Sequence, residues 1–464
     1  MNRNILGLVL VILLAGTSAF WTQTVRSNWT WTGTIYIRAD GSVDPSNAPI
    51  STADDVTYTL TDNIVGAFSG GGSGDAVVVE RDNIVVDGAG YTVQGAWTWN
   101  EPTRGIFLSG RTNVTVQNLQ ITGFAYGIQL YLSSNSNVSG NSVANGFQGI
   151  GLSCCSNSTI CRNNVTGITY YGIMLYRSSH NSVSGNSVTN NYLDGIWLTY
   201  DSNYNNICRN NIAANSNYGL SLYSGQGVTT GNTISENNIT RNTYGILYLA
   251  PDNMIYHNNF IENNQQATGF SNEYHVWYNP LNVWDNGYPS GGNYWSDYGG
   301  VDAYYGPGQN ITGSDRMGDT PYVINTTNLD HYPLMSPWSP HQLTVTSSPI
   351  TGIPFAINAV SKTTPYSESL QESHYYLEMP QTYNGYVWSR WLEDGDANRI
   401  KTIYLHGTTW TGVYVQVSPP ALPVGGEWVP IDRLQLLTQW ISLLSMMTVL
   451  TMSFVYVRRK KRQS

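Results

Sequence analysis

Lysine is almost missing from this sequence. Lys362, Lys401, Lys460 and Lys461 are the four present, and charged residues of all kinds make up 11% of the 464 positions. The formal net charge is −9. A body without a basic patch cannot neutralise phosphates, so nucleic acid is excluded as a partner and a neutral, hydroxyl-rich one fits better. Cysteine is scarce too, with four residues. That is too few for a disulfide scaffold, and no metal-ligand spacing is present. Amphipathic helical periodicity is missing as well, which excludes a helical solenoid. What remains is a chain rich in Gly, Tyr, Asn, Ser and Thr.

The two ends differ from the body. Arg3, the apolar stretch Ile5 to Ala15 and the small residues Gly16 to Ala19 predict a signal peptide over residues 1–20. Leu434 to Val457 carries no charge and is long enough for one membrane-spanning helix. Arg458, Arg459, Lys460, Lys461 and Arg462 close it as a cytoplasmic tail over 458–464. The expected location is the cell membrane, single-pass, with the body outside. Asn-x-Ser/Thr sequons at Asn28, Asn113, Asn137, Asn157, Asn164, Asn238, Asn310 and Asn325 agree with export.

Between the ends runs a repeat. A Gly-Ile/Leu pair recurs at Gly105, Gly127, Gly149, Gly172, Gly195, Gly219 and Gly245, at spacings of 22, 22, 23, 23, 24 and 26. Each opens a run of period two, such as Ile128, Leu130, Leu132, the pattern of a strand with one buried face. A polar turn and a second short strand follow. Then comes an Asn two places before an apolar residue: Asn141, Asn163, Asn186, Asn210, Asn237 and Asn258. The expected fold is all-β, a parallel β-helix with coils of about 22–24 residues. The Asn residues are expected to bond the corner backbone and one another from coil to coil, and the Gly residues to supply a positive-φ turn before each strand. The predicted organisation is an N-terminal cap at 28–74, the β-helix at 75–280, an aromatic cap at 281–340, a β-sandwich-like module at 341–418 and a linker at 419–433.

Residues 75–280 resemble the CASH or NosD-like right-handed β-helix repeats of the pectate-lyase-like superfamily. The likeness rests on the repeat, on Val79-Glu80-Arg81-Asp82-Asn83-Ile84-Val85-Val86-Asp87-Gly88, on Gly292-Asn293-Tyr294-Trp295-Ser296-Asp297-Tyr298, on Asp319-Thr320-Pro321-Tyr322 and on Tyr332-Pro333-Leu334-Met335. It is similar to archaeal cell-surface proteins of this type, whose accessory β-domains the 341–418 module also resembles. The superfamily holds lyases, hydrolases and binding modules, so the resemblance implies fold more than activity. The coils lack the paired Asp and the Gly-His-Gly of polygalacturonase-like hydrolases. They lack Lys, which pectate lyases use beside an Arg base and Ca²⁺. Some relatives are called copper-binding; His180, His257, Met174 and Met254 are too sparse for a soft copper site.

Few residues are left for chemistry. Tyr126, Tyr171 and Tyr218 precede the Gly; Trp197 and then Tyr131, Tyr176 and Tyr223 face outward on the same strands. Such stripes would offer sugar rings a stacking platform, or pack against one another between coils. Arg162, Arg209 and Glu236 share one coil position, as an acid–base set or as surface ion pairs. Asp302, Asp315 and Asp319 are weak Ca²⁺ candidates near the cap; no other cofactor is expected. Cys161 and Cys208 sit two coils apart, too far to bond directly, while Cys154–Cys155 and Cys155–Cys161 stay open as pairs. The expectation is a membrane-anchored, non-enzymatic β-helix that binds glycans or cell-envelope polymers. A polysaccharide lyase or hydrolase, and a NosD-like factor for metal loading of an exported enzyme, are the alternatives.

Overall fold

The computed structural model describes residues 33–66, 74–97, 102–271 and 276–417. The expected signal peptide, linker, membrane helix and basic tail lie outside the described residues. Among the described residues no helix is long and apolar enough to cross a membrane. The chain divides into two compact units, the first reaching Tyr383 and resuming over Trp388–Tyr414, the second holding Asn384–Val387 and the residues from Val415.

Three sheets of 11, 10 and 10 strands wrap one core. Each coil contributes one strand to each sheet, for example Tyr126–Tyr131, Asn137–Ser139 and Ser142–Ala144. Register is strict: Ile128 faces Ile150, then Ile173, Ile196 and Leu220. All five are fully buried. Each such burial contributes about 1.5–3 kcal/mol, and the alternation that points them inward leaves every second residue outside.

The coils begin earlier than the repeat signal. Ile35–Ile37 pairs in parallel with Val77–Val79, and Thr57–Leu60 with Val85–Asp87. Residues expected to cap the core therefore form its first turn. The short antiparallel partners Val43–Asp44 and Ile50–Ser51 close that edge. No Gly-Ile pair marks this turn, which is why periodicity missed it. At the other end, Tyr294–Trp295 adds one more rung to the sheet holding Asn259–Ile261. There Phe260, Trp295 and Tyr322 stack at 4.4 and 4.3 Å, carrying the core column into the cap.

The Asn residues form three ladders rather than one. In the first, each Nδ2 donates to the next coil's Oδ1 at 2.9–3.0 Å from Asn141 through Asn163, Asn186, Asn210, Asn237 and Asn258 to Asn293. The backbone N–H of each donates to the same oxygen, as at Asn186 to Asn210. The other Nδ2 hydrogen reaches the preceding coil, as from Asn210 to Val183 O. One side chain thus satisfies three corner groups. Parallel ladders run through Asn181, Asn205, Asn232 and Asn253, and through Asn191, Asn215, Asn242 and Asn263. All donors point one way, so the first ladder needs an acceptor at its end. Asp330 supplies it: Oδ2 accepts from Asn293 N at 2.7 Å and Trp295 Nε1 at 2.8 Å. Complete burial pushes this carboxyl up to about 7.

The glycines act differently from expectation. Gly127, Gly149, Gly172, Gly195, Gly219 and Gly245 lie inside the long strands, and none has positive φ. Their need is space. A Cβ at Gly172 would stand 2.6 Å from Gly195 O, and one at Gly195 2.6 Å from Gly219 O. The left-handed corners fall instead on Gly140, Arg162, Gly185, Arg209 and Glu236. All four cysteines are free, so neither open disulfide pair forms. Cys155 is buried with Sγ donating to Ser153 O, and burial raises its thiol to about 11.

Beyond the last rung and the short hairpins of the cap, a five-stranded and a four-stranded sheet begin at Pro340. Leu343, Val345, Phe355, Ile357, Leu377 and Trp391 are among their buried residues.

Candidate functional site

The outer side of the long-strand sheet is only partly open to solvent, and its register stacks Tyr126, Gln148, Tyr171 and Asp194 in one column. Gln129, Gly151, Met174 and Trp197 form a second column beside it. The expected tyrosine stripe does not run unbroken. Tyr171 and Tyr218 are buried, at 6% and 1% exposure. Tyr223 packs with Tyr218, Tyr244, Leu247 and Leu249. Tyr131 is exposed with Ser153 as its neighbour, and Tyr176 pairs with Tyr200 at 5.1 Å. What does assemble is a run of half-exposed rings that includes three residues periodicity did not single out: Trp97, Phe147 and Tyr170. Phe147 stacks on Tyr170 at 4.9 Å and meets Tyr126 edge-on at 6.3 Å. Tyr171 lies beneath Trp197, stacked at 4.1 Å and 16°. The overlooked signal was an aromatic two places before the strand glycine, at Phe147 and Tyr170.

Gln148 lies within this run. It is 4% exposed, and its Nε2 has no hydrogen-bond partner among the described residues. A Cβ at Gly151 would collide with that nitrogen, so the missing side chain is what lets the amide lie across the sheet. A buried donor without an acceptor costs about 1–3 kcal/mol.

Carboxylates on this face are committed elsewhere. Asp194 accepts from Ser221 Oγ at 2.7 Å and Asn217 Nδ2 at 2.9 Å. Asp75 pairs through Oδ1 with Arg104 at 2.7 Å, while its buried Oδ2 has no hydrogen-bond partner among the described residues, and Arg104 lies 3.6 Å over Phe107. Asp75 and Asp194 are five coil steps apart, about 24 Å, whereas paired glycosidase carboxylates stand about 5–9.5 Å apart. The columns therefore hold no acid–base pair of that kind.

Arg162, Arg209 and Glu236 occupy a different corner, all in left-handed conformation. Arg209 and Glu236 pair at 2.8 Å, with Arg209 70% exposed. Near the first coil, a cleft of about 440 Å³ gathers Asp55, Glu80, Arg81, Asp82 and Arg111. Its charges largely compensate one another: Glu80 pairs with Arg38 at 3.1 Å and Asp82 with Arg111 at 3.5 Å.

The cap aspartates serve the backbone. Asp302 accepts from Asp315 N and Arg316 N, and Asp319 from Ala303 N and Tyr304 N. Asp315 accepts from Tyr288 OH at 2.8 Å, and burial raises its carboxyl to about 6. Asp302, Asp315 and Asp319 do not gather into a common ligand set.

A parallel β-helix with aromatic rings and one unpaired amide on its outer face defines the class. More particularly, residues 72–300 match the family model described as periplasmic copper-binding protein (NosD), so the coil region is a NosD-like right-handed β-helix. No curated protein matches the sequence. Among solved structures, the chain is similar to a double mutant of the periplasmic alginate epimerase AlgG, at 15% identity and a TM-score of 0.39, covering 53% of this chain and 64% of that one. It thus spans less than two thirds of that epimerase. It is also similar to the Dettilon tailspike protein, at 13% identity and a TM-score of 0.42, covering 82% of both chains. Neither likeness bears on activity. The family's copper finds no ligand set in the coils: among the described residues of 72–300, no three His, Cys, Asp or Glu side chains converge. His257 is buried, stacked on Trp338 at 3.5 Å, with burial lowering it to about 4. Cys161 and Cys208 are held two coils apart by register with Ser184.

Proposed function

We propose that this chain is an extracytoplasmic β-helix that binds a neutral glycan along the aromatic run of its long-strand sheet. One observation carries the reading. The half-exposed rings Trp97, Tyr126, Phe147, Tyr170 and Trp197 lie along the strands that carry Gln148, which register places between Tyr126 and Tyr171 and whose buried Nε2 lacks an acceptor. Rings supply apolar faces for the C–H side of a sugar, and the amide, covered in the free protein, supplies a donor for a hydroxyl or carbonyl oxygen once its side chain turns outward. The net charge of −9 and the absence of Lys from the coils disfavour polyanionic glycans. The apolar stretch 434–457 and its basic tail support a membrane tether holding the rod at the cell surface.

The test is binding of the full chain to a glycan array, followed by titration of the strongest hit. Trp197→Ala is expected to weaken binding about tenfold. Failure to bind any glycan overturns the reading.

A second reading, cleavage of a polysaccharide, is favoured by the cleft of Glu80, Asp82, Arg81 and Arg111. Its carboxylates are held in ion pairs, which weighs against a free acid or base. Release of unsaturated or reducing sugars in the same assays, abolished by Glu80→Gln, would favour it over binding alone.

A further inference from the structure

The C-terminal sheets bring together three ligating side chains that lie far apart in sequence. His341 sits near the start of strand Pro340–Ser348, opposite Leu370 of the antiparallel strand Tyr366–Gln371. Glu372 follows that strand directly, its backbone N–H donating to Ser339 O at 3.2 Å. His406 follows strand Ile400–Tyr404, whose Tyr404 pairs with His374 in the neighbouring strand. These edges end at one place. The ligating atoms of the three lie within 4.8 Å of one another, and no other such group occurs among the described residues. His406 Nδ1 is 3.4 Å from Glu372 Oε1, and His341 Nε2 is 3.9 Å from Glu372 Oε2. The two imidazoles stand edge to face, with centroids 5.7 Å apart. The Tyr404 hydroxyl donates to Glu372 Oε1 at 3.0 Å. Such a donor orients the carboxylate, as outer partners do at metal centres.

We propose that His341, Glu372 and His406 bind a divalent first-row transition ion, zinc or copper(II). Two imidazole nitrogens and one carboxylate oxygen suit those ions. Calcium and magnesium take oxygen ligands instead, and the set has no thiolate or thioether for copper(I). Tetrahedral zinc, with bonds of about 2.0–2.1 Å, places its ligating atoms about 3.3 Å apart. The His406–Glu372 pair already stands near that spacing. His341 Nε2 stands 3.9 Å from the other carboxylate oxygen and within 4.8 Å of the remaining ligand atoms, so it has to close by up to about 1.5 Å, a rotamer-scale movement for a side chain that is 32% exposed. Three protein ligands leave a coordination position open to solvent, and His406 is 60% exposed. The site is therefore built for an ion that exchanges rather than one locked into the fold. Arg316 of the cap acts electrostatically on Tyr404, and its charge opposes a cation here. The site lies outside residues 72–300 and away from the aromatic run, so it stands independently of glycan binding.

The bland alternative is a surface pair between protonated histidine and Glu372, which binds no metal stoichiometrically. Chelator-stripped full chain is titrated calorimetrically with Zn²⁺, Cu²⁺ and Ca²⁺. One Zn²⁺ or Cu²⁺ per chain is expected, with no Ca²⁺ uptake, and the Cu²⁺ form should show nitrogen hyperfine coupling in its electron paramagnetic resonance spectrum. His406→Ala and Glu372→Gln should each weaken binding about 100-fold or more, and Tyr404→Phe about tenfold, the low end for an outer partner. His180→Ala, an exposed histidine of the coils, should leave affinity unchanged. If His341→Ala misfolds, His406→Ala decides, because its side chain lies on an exposed turn. Absence of Zn²⁺ and Cu²⁺ binding, or wild-type affinity in the double variant His406→Ala/Glu372→Gln, overturns the proposal.

Discussion

The coils and the C-terminal sheets are both all-β, yet they use polar residues in opposite ways. In the coils, Asn side chains point inward and close the backbone at three corners. Asn210, for example, accepts from Asn186 and donates to Asn237 and Val183 O, with 1% exposure. In the C-terminal sheets the core is mostly apolar, with Leu343, Tyr375, Leu377 and Trp391 fully buried and Asn358, Gln371 and Ser373 as isolated buried polar groups that form no ladder. There the charged groups stay at the rim, as Glu372 and His406 do. A solenoid repeats its backbone problem every coil and solves it with the same residue each time. A sheet module solves its own within the ladders, which frees its polar side chains to meet one another. Architecture therefore claims most of the distinctive residues of the coils, whereas the module retains a ligating cluster.

The sharpest way to break this contrast is Asn210→Ala. It removes the acceptor of both Asn186 N and Asn186 Nδ2, leaving two buried donors. The expected loss is about 2–5 kcal/mol, read as a shifted denaturation midpoint. A rim substitution such as His374→Ala in the module should cost far less. Next is Gly195→Ala, whose Cβ would press on Gly219 O at 2.6 Å. Overpacking of this kind costs about 1–3 kcal/mol. A variant as stable as the parent would mean that space does not explain the glycine.

The ladder end gives a pH test. Asp330 titrates near 3.8 when unfolded and is raised to about 7 by burial in the fold. Between those values the native state holds a proton that the unfolded chain has released. Its contribution to stability therefore falls as pH rises from about 4 to about 7, and stays level above. Asp315, raised to about 6, acts in the same sense; His257, lowered to about 4, acts in the opposite one. The difference in stability between the parent and Asp330→Asn isolates the first effect, and a pH-independent difference would refute it. The smallest change is expected for Arg209→Ala. This exposed pair with Glu236 is worth at most about 1 kcal/mol, and the substitution should leave glycan binding intact.

The coil architecture was legible because it is periodic. The Gly-Ile pairs and the Asn following the second strand mark each turn independently of the others. Boundaries without that mark were not legible, as at Ile35–Ile37. The binding surface was legible in part: Tyr126 and Trp197 came from register, but Phe147 and Tyr170 stand on a corner whose residue type changes from coil to coil. Whether a tyrosine in the column is buried, like Tyr218, or half-exposed, like Tyr126, depends on what packs over it. Tyr218 donates to Phe270 O, a contact made 52 residues away.

Local periodicity by itself determined the stacked parallel coil, the inward Ile and Leu columns and the first Asn corner, because each repeat meets the same neighbours. Only the tertiary structure decided why glycine is needed in the long strands, where the ladders end at Asp330, and that Gln148 is left with an unpaired donor. It alone brought His341, Glu372 and His406 together. Each of these depends on an approach between segments that share no period, and such approaches exist only once the chain has folded.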